Sequence, residues 1–137
     1  MCNINKICID CKIPLSLDKF YKSKTHKHGV MSYCKKCFNQ RCIKRWIKRK
    51  IKAITYKGGK CNNCNIQATS ENYVIFDFHH LNPNIKDSDW SKLRLKSWSN
   101  ILLELDKCVL VCSNCHRLIH HKLNSVVLEG FEPSMPL

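Results

Sequence analysis

The chain has 137 residues, 11 cysteines and a formal net charge of +14. This length allows one domain or two very small ones, so a large apolar core is excluded. No apolar run reaches membrane-spanning length, and the first residues lead into a cysteine pair rather than a secretory leader. We therefore expect no membrane partner and a reducing intracellular compartment, which could be the cytoplasm of a bacterium or of a virus-infected host, or an organelle.

Eight cysteines fall into four Cys-x-x-Cys pairs. The pairs are Cys8/Cys11, Cys34/Cys37, Cys61/Cys64 and Cys112/Cys115, and Cys2, Cys42 and Cys108 remain outside them. Disulfides are the competing explanation, but the odd count and the two-residue gaps favour zinc. Thiolates two residues apart can bind one ion together, and two such pairs complete a tetrahedron. A thioredoxin-like redox motif would need a βαβ context, which the pattern lacks. We predict two structural Zn²⁺ ions, each held by four cysteines.

Residues 1–40 form the first predicted module. Its two cysteine pairs are separated by 22 residues, which suits a zinc ribbon or a treble-clef-like finger. His26 and His28 lie in a polar loop between the pairs. They are interpreted as solvated, because four cysteines already fill the coordination sphere.

A basic linking helix is predicted over residues 41–59, with the helical pattern running from about 38 to 56 and ending at Gly58-Gly59. Isoleucines recur at helical spacing and predict one apolar stripe; they are Ile43, Ile47, Ile51 and Ile54. Between Lys19 and Ser70 there is no Asp or Glu, and 15 of the 24 Lys and Arg lie there.

The charge of this helix has two interpretations. It is either a solvated helix packed on its apolar stripe, or a helix laid along a nucleic-acid backbone. We favour the second, because cations at this density repel one another unless something neutralises them. The predicted DNA contacts on the helix are Arg41, Lys44, Arg45, Lys48, Arg49 and Lys52.

The second predicted module, residues 60–123, mixes strands and helices. Its β-branched and aromatic run over 73–78 predicts a strand that leads into two adjacent histidines. A short helix over 98–107, a short strand over 108–111 and a helix from Ser113 are predicted to follow. The tail, 124–137, is predicted to be disordered. The expected fold class is therefore a small, zinc-stabilised α+β fold.

Four histidines lie at the ends of this strand–strand–helix unit. Side chains alternate across a strand, so one of His79 and His80 can bind a metal while the other faces a substrate. His116 and His120 are four residues apart on one helix face and can complete a metal site with His79. A divalent ion there, Mg²⁺, Mn²⁺ or similar, would stabilise a phosphodiester transition state, and His80 would accept a proton from water. Alternatively, these histidines are extra zinc ligands or surface residues.

Two stretches of this module together resemble the HNH endonucleases, a family of ββα-metal nucleases, here of the kind with a four-cysteine zinc. They are His79-His80-Leu81-Asn82-Pro83 and Cys112-Ser113-Asn114-Cys115-His116-Arg117-Leu118-Ile119-His120. The resemblance implies a ββα-metal finger after the ribbon and basic helix, as in phage- and virus-type members. It implies that His80 is the general base and that His79 and His116 bind the catalytic metal, with His120 as the additional ligand of the colicin-like branch. The implied zinc ligands are Cys61, Cys64, Cys112 and Cys115.

The match departs at the family's middle Asn, which normally hydrogen-bonds the loop carrying the base. Lys107 stands nine residues before His116, where that Asn is expected. Glu104 and Lys107 are the candidates to replace it, and the sequence does not decide between them.

These observations predict a metal-dependent HNH endonuclease that hydrolyses DNA phosphodiester bonds. Arg117, beside the histidines, is predicted to contact phosphate together with the cations of the basic helix. Two alternatives stay open. One is a non-catalytic, zinc-dependent nucleic-acid-binding protein related to the family, and the other is an interaction module for acidic proteins. Nothing in the sequence indicates an oligomeric state.

Overall fold

The structure is a computed structural model that describes residues 4–86 and 88–125. Within these residues the chain forms an α+β fold with three two-stranded antiparallel sheets and four α-helices. It divides into two compact units, one reaching to Lys48 and one starting at Arg49. No helix in these ranges is both long and apolar enough to cross a membrane. The predicted disordered tail lies, from residue 126 onward, outside the described residues.

The first unit consists of two β-hairpins followed by a long helix. Strands β1 (Asn5–Ile7) and β2 (Pro14–Ser16) pair with each other, as do β3 (Phe20–Lys22) and β4 (Val30–Cys34). Such short hairpins bury little apolar surface, and the buried residues gather around sulfur atoms instead. They are Cys8, Phe20, Val30, Cys34 and Cys37.

Helix α1 (Lys35–Tyr56) follows β4 directly and begins slightly earlier than predicted. It ends before Gly58 and Gly59, which have φ angles of 99° and 70° that favour glycine. The predicted apolar stripe is only partly buried. Ile54 is 2% exposed, whereas Ile43 is 50% exposed. The helical period therefore identified the helix correctly, but not which part of the stripe contributes to a core.

The second unit is organised around one antiparallel strand pair. Strand β5 (Phe76–His80) pairs along its whole length with β6 (Cys108–Cys112), and α4 (Ser113–Ser125) follows β6 without a loop. The chain segment that connects the two strands contains α2 (Trp90–Leu93) and α3 (Trp98–Leu105). As a result, side chains from the end of β5, the start of β6 and the first turns of α4 line one cavity.

Two buried clusters support the second unit. One surrounds Phe76 and Val111, both fully buried, and includes Ile54 from the end of α1. The other joins Ala53 of α1 to α2 and α3 and contains Leu93, Ile101 and Leu105.

The strand predicted to begin at Tyr73 begins at Phe76 instead. Residues 73–75 form a 3₁₀ turn, because the side chains of Thr69 and Asn72 bond to nearby backbone groups and favour a turn over a strand.

Candidate functional site

The first cysteine cluster consists of Cys8, Cys11, Cys34 and Cys37, whose sulfur atoms all lie within 4.8 Å of one another. Burial raises the pKa of Cys8, but backbone N–H groups directed at its sulfur outweigh burial and lower the pKa to about 6. The neighbouring thiols raise the pKa of Cys37 to about 12. Because the four thiolates repel one another, all four ionise together only around a cation, which is the behaviour of a zinc site.

The second cysteine cluster consists of Cys61, Cys64, Cys112 and Cys115, again with all sulfurs within 4.8 Å. The sulfurs of Cys64 and Cys112 are 3.7 Å apart. Two thiolates bound tetrahedrally at about 2.3 Å from one Zn²⁺ would be about 3.8 Å apart, so the spacing fits zinc. The Cys112 N–H donates to Cys61 Sγ at 3.2 Å. Despite burial, such backbone donors lower the pKa of Cys61 to about 6.

The predicted cysteine pairs are therefore brought together as two four-cysteine sites compatible with structural zinc. Of the three remaining cysteines, Cys42 and Cys108 belong to neither cluster, and Cys2 lies outside the described residues. Cys108 is 2% exposed, and burial raises its pKa to about 11. Its thiol is an uncharged core side chain of β6.

The histidine cluster consists of His79, His116 and His120, with one ring nitrogen of each within 4.8 Å of the others. β5 supplies His79, and one face of α4 supplies the other two. The Nε2 atoms of His116 and His120 are 3.0 Å apart, and the His79 ring centroid is 5.2 Å from each of theirs. Burial, then the adjacent imidazoles, lowers the pKa of His79, and this favours the neutral ring, which is the form that binds a metal.

Asp77 orients this cluster and was missed by the sequence analysis. Its Oδ2 lies 3.0 Å from His116 Nδ1. An ionised carboxylate only accepts hydrogen bonds, so Nδ1 carries the proton and Nε2 keeps a free lone pair toward His120. Metal-binding histidines typically have such a partner. The signal in the sequence was the two-residue spacing of Asp77 and His79, which puts both on one strand face.

The histidine cluster fits a divalent ion by spacing and by donor type. Two nitrogens that bind one ion at about 2.05 Å are about 2.9 to 3.3 Å apart, between octahedral and tetrahedral angles. The 3.0 Å separation of the His116 and His120 nitrogens falls in this range. Three imidazoles suit Zn²⁺, Ni²⁺, Cu²⁺ or Fe²⁺ better than Mg²⁺ or Mn²⁺, which prefer oxygen ligands.

His80 points to the other face of β5, away from the histidine cluster. Its Nε2 lies 2.6 Å from Glu104 Oε1, and the two side chains are 11% and 3% exposed. Lys107 Nζ lies 3.0 Å from Glu104 Oε2 and donates to the carbonyl of Ile85 at 3.1 Å. Both candidates for the role of the missing Asn therefore lie in one network with His80.

A cavity of about 620 Å³ lies beside the histidine cluster. Its lining includes the whole histidine cluster, His80 and Lys50. The Lys50 ammonium lies 4.7 Å from the ring centroid of Phe78, and burial lowers the pKa of Lys50 although Asp77 opposes this. In the sequence Lys50 is one cation among many on the basic helix, so no local pattern singles it out.

Six of the seven predicted DNA contacts are exposed, and Arg49 is partly buried. The exposed ones are Arg41, Lys44, Arg45, Lys48, Lys52 and Arg117. Arg41, Arg49 and Lys52 contact partners within their own unit. Arg41 makes two hydrogen bonds to Asp10, at 2.5 and 2.6 Å, and this pairing raises the pKa of Arg41. Arg49 donates to the carbonyls of Arg94 and Lys96, and Lys52 lies over the Trp98 ring.

Comparisons with known proteins give no assignment, since no protein-family model, no curated protein and no solved structure matches the chain. The chemistry of the side chains around the cavity is therefore the basis for assigning a function.

Proposed function

We propose that the protein is a metal-dependent HNH-type endonuclease that hydrolyses DNA phosphodiester bonds. The observation that carries the proposal is that the histidine cluster and His80 line one and the same cavity. The order β5, β6, α4 agrees with the ββα-metal finger that the sequence resemblance implies. The adjoining second cysteine cluster agrees with the structural zinc of that family.

His79, His116 and His120 would hold the catalytic divalent ion. When bound, the ion supplies Lewis-acid stabilisation of the charge on the phosphodiester transition state. Three protein ligands leave coordination positions for substrate, as in catalytic rather than structural metal sites. The donor set favours transition metals, so we expect Ni²⁺ or Zn²⁺ to bind more tightly than Mg²⁺.

His80 would act as general base on the attacking water. Its position on the face opposite His79 keeps its imidazole out of the metal-binding cluster, while both side chains reach the cavity. Proton removal by a positioned side chain typically contributes about 10²- to 10⁴-fold in rate. The partly buried Lys50 ammonium would contact an oxygen of the phosphate from the cavity wall.

DNA affinity would come mainly from charge. The net charge of +14 and the exposed cations Lys44, Arg45, Lys48 and Arg117 support contacts to the phosphate backbone. Such contacts carry no sequence preference of their own. They would also serve a non-catalytic nucleic-acid-binding protein, so DNA binding alone does not separate the two functions, whereas cleavage does.

The test is cleavage of supercoiled plasmid by the zinc-loaded full chain with Mg²⁺, Mn²⁺, Ni²⁺ or Zn²⁺ added. We expect nicked or linear product with at least one metal. His80→Ala should slow cleavage by about 10²- to 10⁴-fold, while His121→Ala, which removes an exposed histidine of α4, serves as the matched control.

Two results would reject the proposal. Equal cleavage by the wild type and His80→Ala would show that His80 is not the general base. DNA binding with no cleavage in the presence of each of the four metals would favour the non-catalytic nucleic-acid-binding alternative.

A further inference from the structure

We propose that Glu104 is the positioning residue of His80, and that Lys107 fastens the Glu104–His80 pair to the segment that follows β5. The carboxylate holds the imidazole by Nε2 and leaves Nδ1 as the nitrogen that accepts the proton. The inference rests on the proposed function in so far as His80 is the base.

The contact between the two side chains defines the tautomer of His80. Nε2 of His80 and Oε1 of Glu104 are 2.6 Å apart, a short contact of the kind that hydrogen bonds to an ionised group make. An ionised carboxylate has no proton to donate, so Nε2–H must be the donor. In the neutral ring Nδ1 then carries the lone pair. A base held in one tautomer by a carboxylate needs no ring reorientation before it accepts a proton.

The burial of Glu104 argues against a purely structural role. It is the single acid in the apolar run 101–105 of α3 and is 3% exposed. A buried carboxylate costs stability unless it is paired, and an apolar side chain of similar volume is often as stable or more stable there. The oxygens of Glu104 face His80, Lys107 and, at 3.4 Å, the backbone N–H of Ser88. The carboxylate therefore contacts Lys107 and two residues of the cavity wall, His80 and Ser88, rather than the apolar core of α3.

Lys107 connects this pair to the chain beyond His80. Its ammonium donates to the Ile85 carbonyl at 3.1 Å, and its own carbonyl accepts from the Leu81 N–H at 3.1 Å. Lys107 stands where the HNH resemblance places an Asn that bonds the loop carrying the base. The same loop is bonded here by a lysine, and the lysine also bonds the carboxylate that holds the base. Glu104 and Lys107 thus act together rather than as alternatives.

The first test compares Glu104→Leu with Glu104→Asp and with Glu71→Gln, an exposed carboxylate of the same unit, by steady-state cleavage and thermal unfolding. Glu104→Leu should stay folded, with kcat lowered about 10- to 100-fold and KM nearly unchanged. Glu104→Asp should recover part of kcat, and Glu71→Gln should match the wild type. A folded Glu104→Leu with wild-type kcat would overturn the inference.

The second test needs no catalysis and keeps the inference separate from the proposed function. Long-range ¹H–¹⁵N correlation spectra of the zinc-loaded full chain at mildly alkaline pH report which nitrogen of His80 carries the proton. We expect Nε2–H in the wild type and in Lys107→Met, and a mixture of tautomers in Glu104→Leu. An Nδ1–H tautomer in the wild type would overturn the positioning role even if the protein cleaves DNA. An Nε2–H tautomer that depends on Glu104 would support it even if no cleavage is found.

Discussion

The second unit contains two clusters of metal-binding side chains that differ in ligand number and exposure. The second cysteine cluster offers four sulfurs, and three of its residues are at most 9% exposed. The histidine cluster offers three nitrogens, and it lines a cavity. Four protein ligands close a zinc site and make it structural, while three leave a position for substrate. Under the proposed function, the two clusters would divide two tasks within this small unit, with the cysteines stabilising the fold and the histidines binding the catalytic ion.

The largest expected effect is the loss of the fold when the cysteine cluster is broken. Structural zinc contributes about 10 to 16 kcal/mol in small domains, as much as the whole stability of most proteins. Cys112→Ser should therefore lose about half of the bound zinc and unfold the second unit. Zinc content and circular dichroism, with thermal melting, measure both effects.

Cys108→Ala is the matched control, because Cys108 is buried at the opposite end of the same strand and belongs to neither cysteine cluster. It should keep both zinc ions and lose about 1 kcal/mol of unfolding free energy. Equal destabilisation by the two substitutions would mean that core packing, not metal, explains the cysteines.

The next effect concerns the histidine cluster, where His116→Ala should leave the fold intact and weaken metal binding at the proposed catalytic site. Removal of one of three ligands should weaken Ni²⁺ binding and cleavage by at least about 100-fold, because loss of even an outer partner costs about 10- to 100-fold. Calorimetric titration of Ni²⁺ into the zinc-loaded chain gives the affinity. Unfolding of the second unit by His116→Ala would show that the histidines are structural like the cysteines, and the contrast between the clusters would fail.

The parts of these clusters that could be predicted are those encoded by short spacings. A two-residue gap between cysteines and a four-residue gap on a helix bring side chains together through local geometry alone. Asp77 was within reach of the same reasoning, through its two-residue spacing from His79. To bring these residues together, a prediction needs only the correct strand or helix, and β5 and α4 were both predicted close to their observed positions.

Two features required the tertiary structure: the pairing of Glu104, a candidate from the sequence, with His80, and the position of Lys50. Glu104 meets a histidine 24 residues away, and Lys50 packs against an aromatic ring 28 residues away. No local period relates such pairs. The start of β5 and the partly exposed isoleucine stripe of α1 also could not be predicted from local propensity. Hydrogen bonds of the preceding turn determine where β5 begins, and the apolar surface available for packing determines which isoleucines are buried.

A smaller effect is expected from Asp77, which contacts the histidine cluster without belonging to it. Asp77→Ala removes the acceptor of His116 Nδ1–H, so the ring loses its fixed tautomer and Ni²⁺ affinity should fall about 10- to 100-fold. Asp106→Ala, an exposed carboxylate that accepts from the Tyr56 hydroxyl, should leave Ni²⁺ affinity unchanged. An unchanged Ni²⁺ affinity in Asp77→Ala would show that the Asp77–His116 contact is only a surface ion pair.

The smallest effect tests whether DNA affinity is separate from both clusters. Lys44→Gln/Lys48→Gln removes two exposed cations, and each phosphate contact contributes about 0.9 to the slope of log K against log salt. The slope should therefore decrease in magnitude by about 1.8 for duplex DNA, with metal affinity and melting temperature unchanged.

Arg49→Gln, which removes a cation already bonded to two carbonyls, should instead lower the melting temperature with little change in slope. Fluorescence anisotropy at several salt concentrations measures these slopes. If Arg49→Gln changed the slope as much as one of the two lysines, the distinction between the exposed cations and the partly buried Arg49 would be wrong, since only exposed cations are available to replace the counterions of a phosphate backbone.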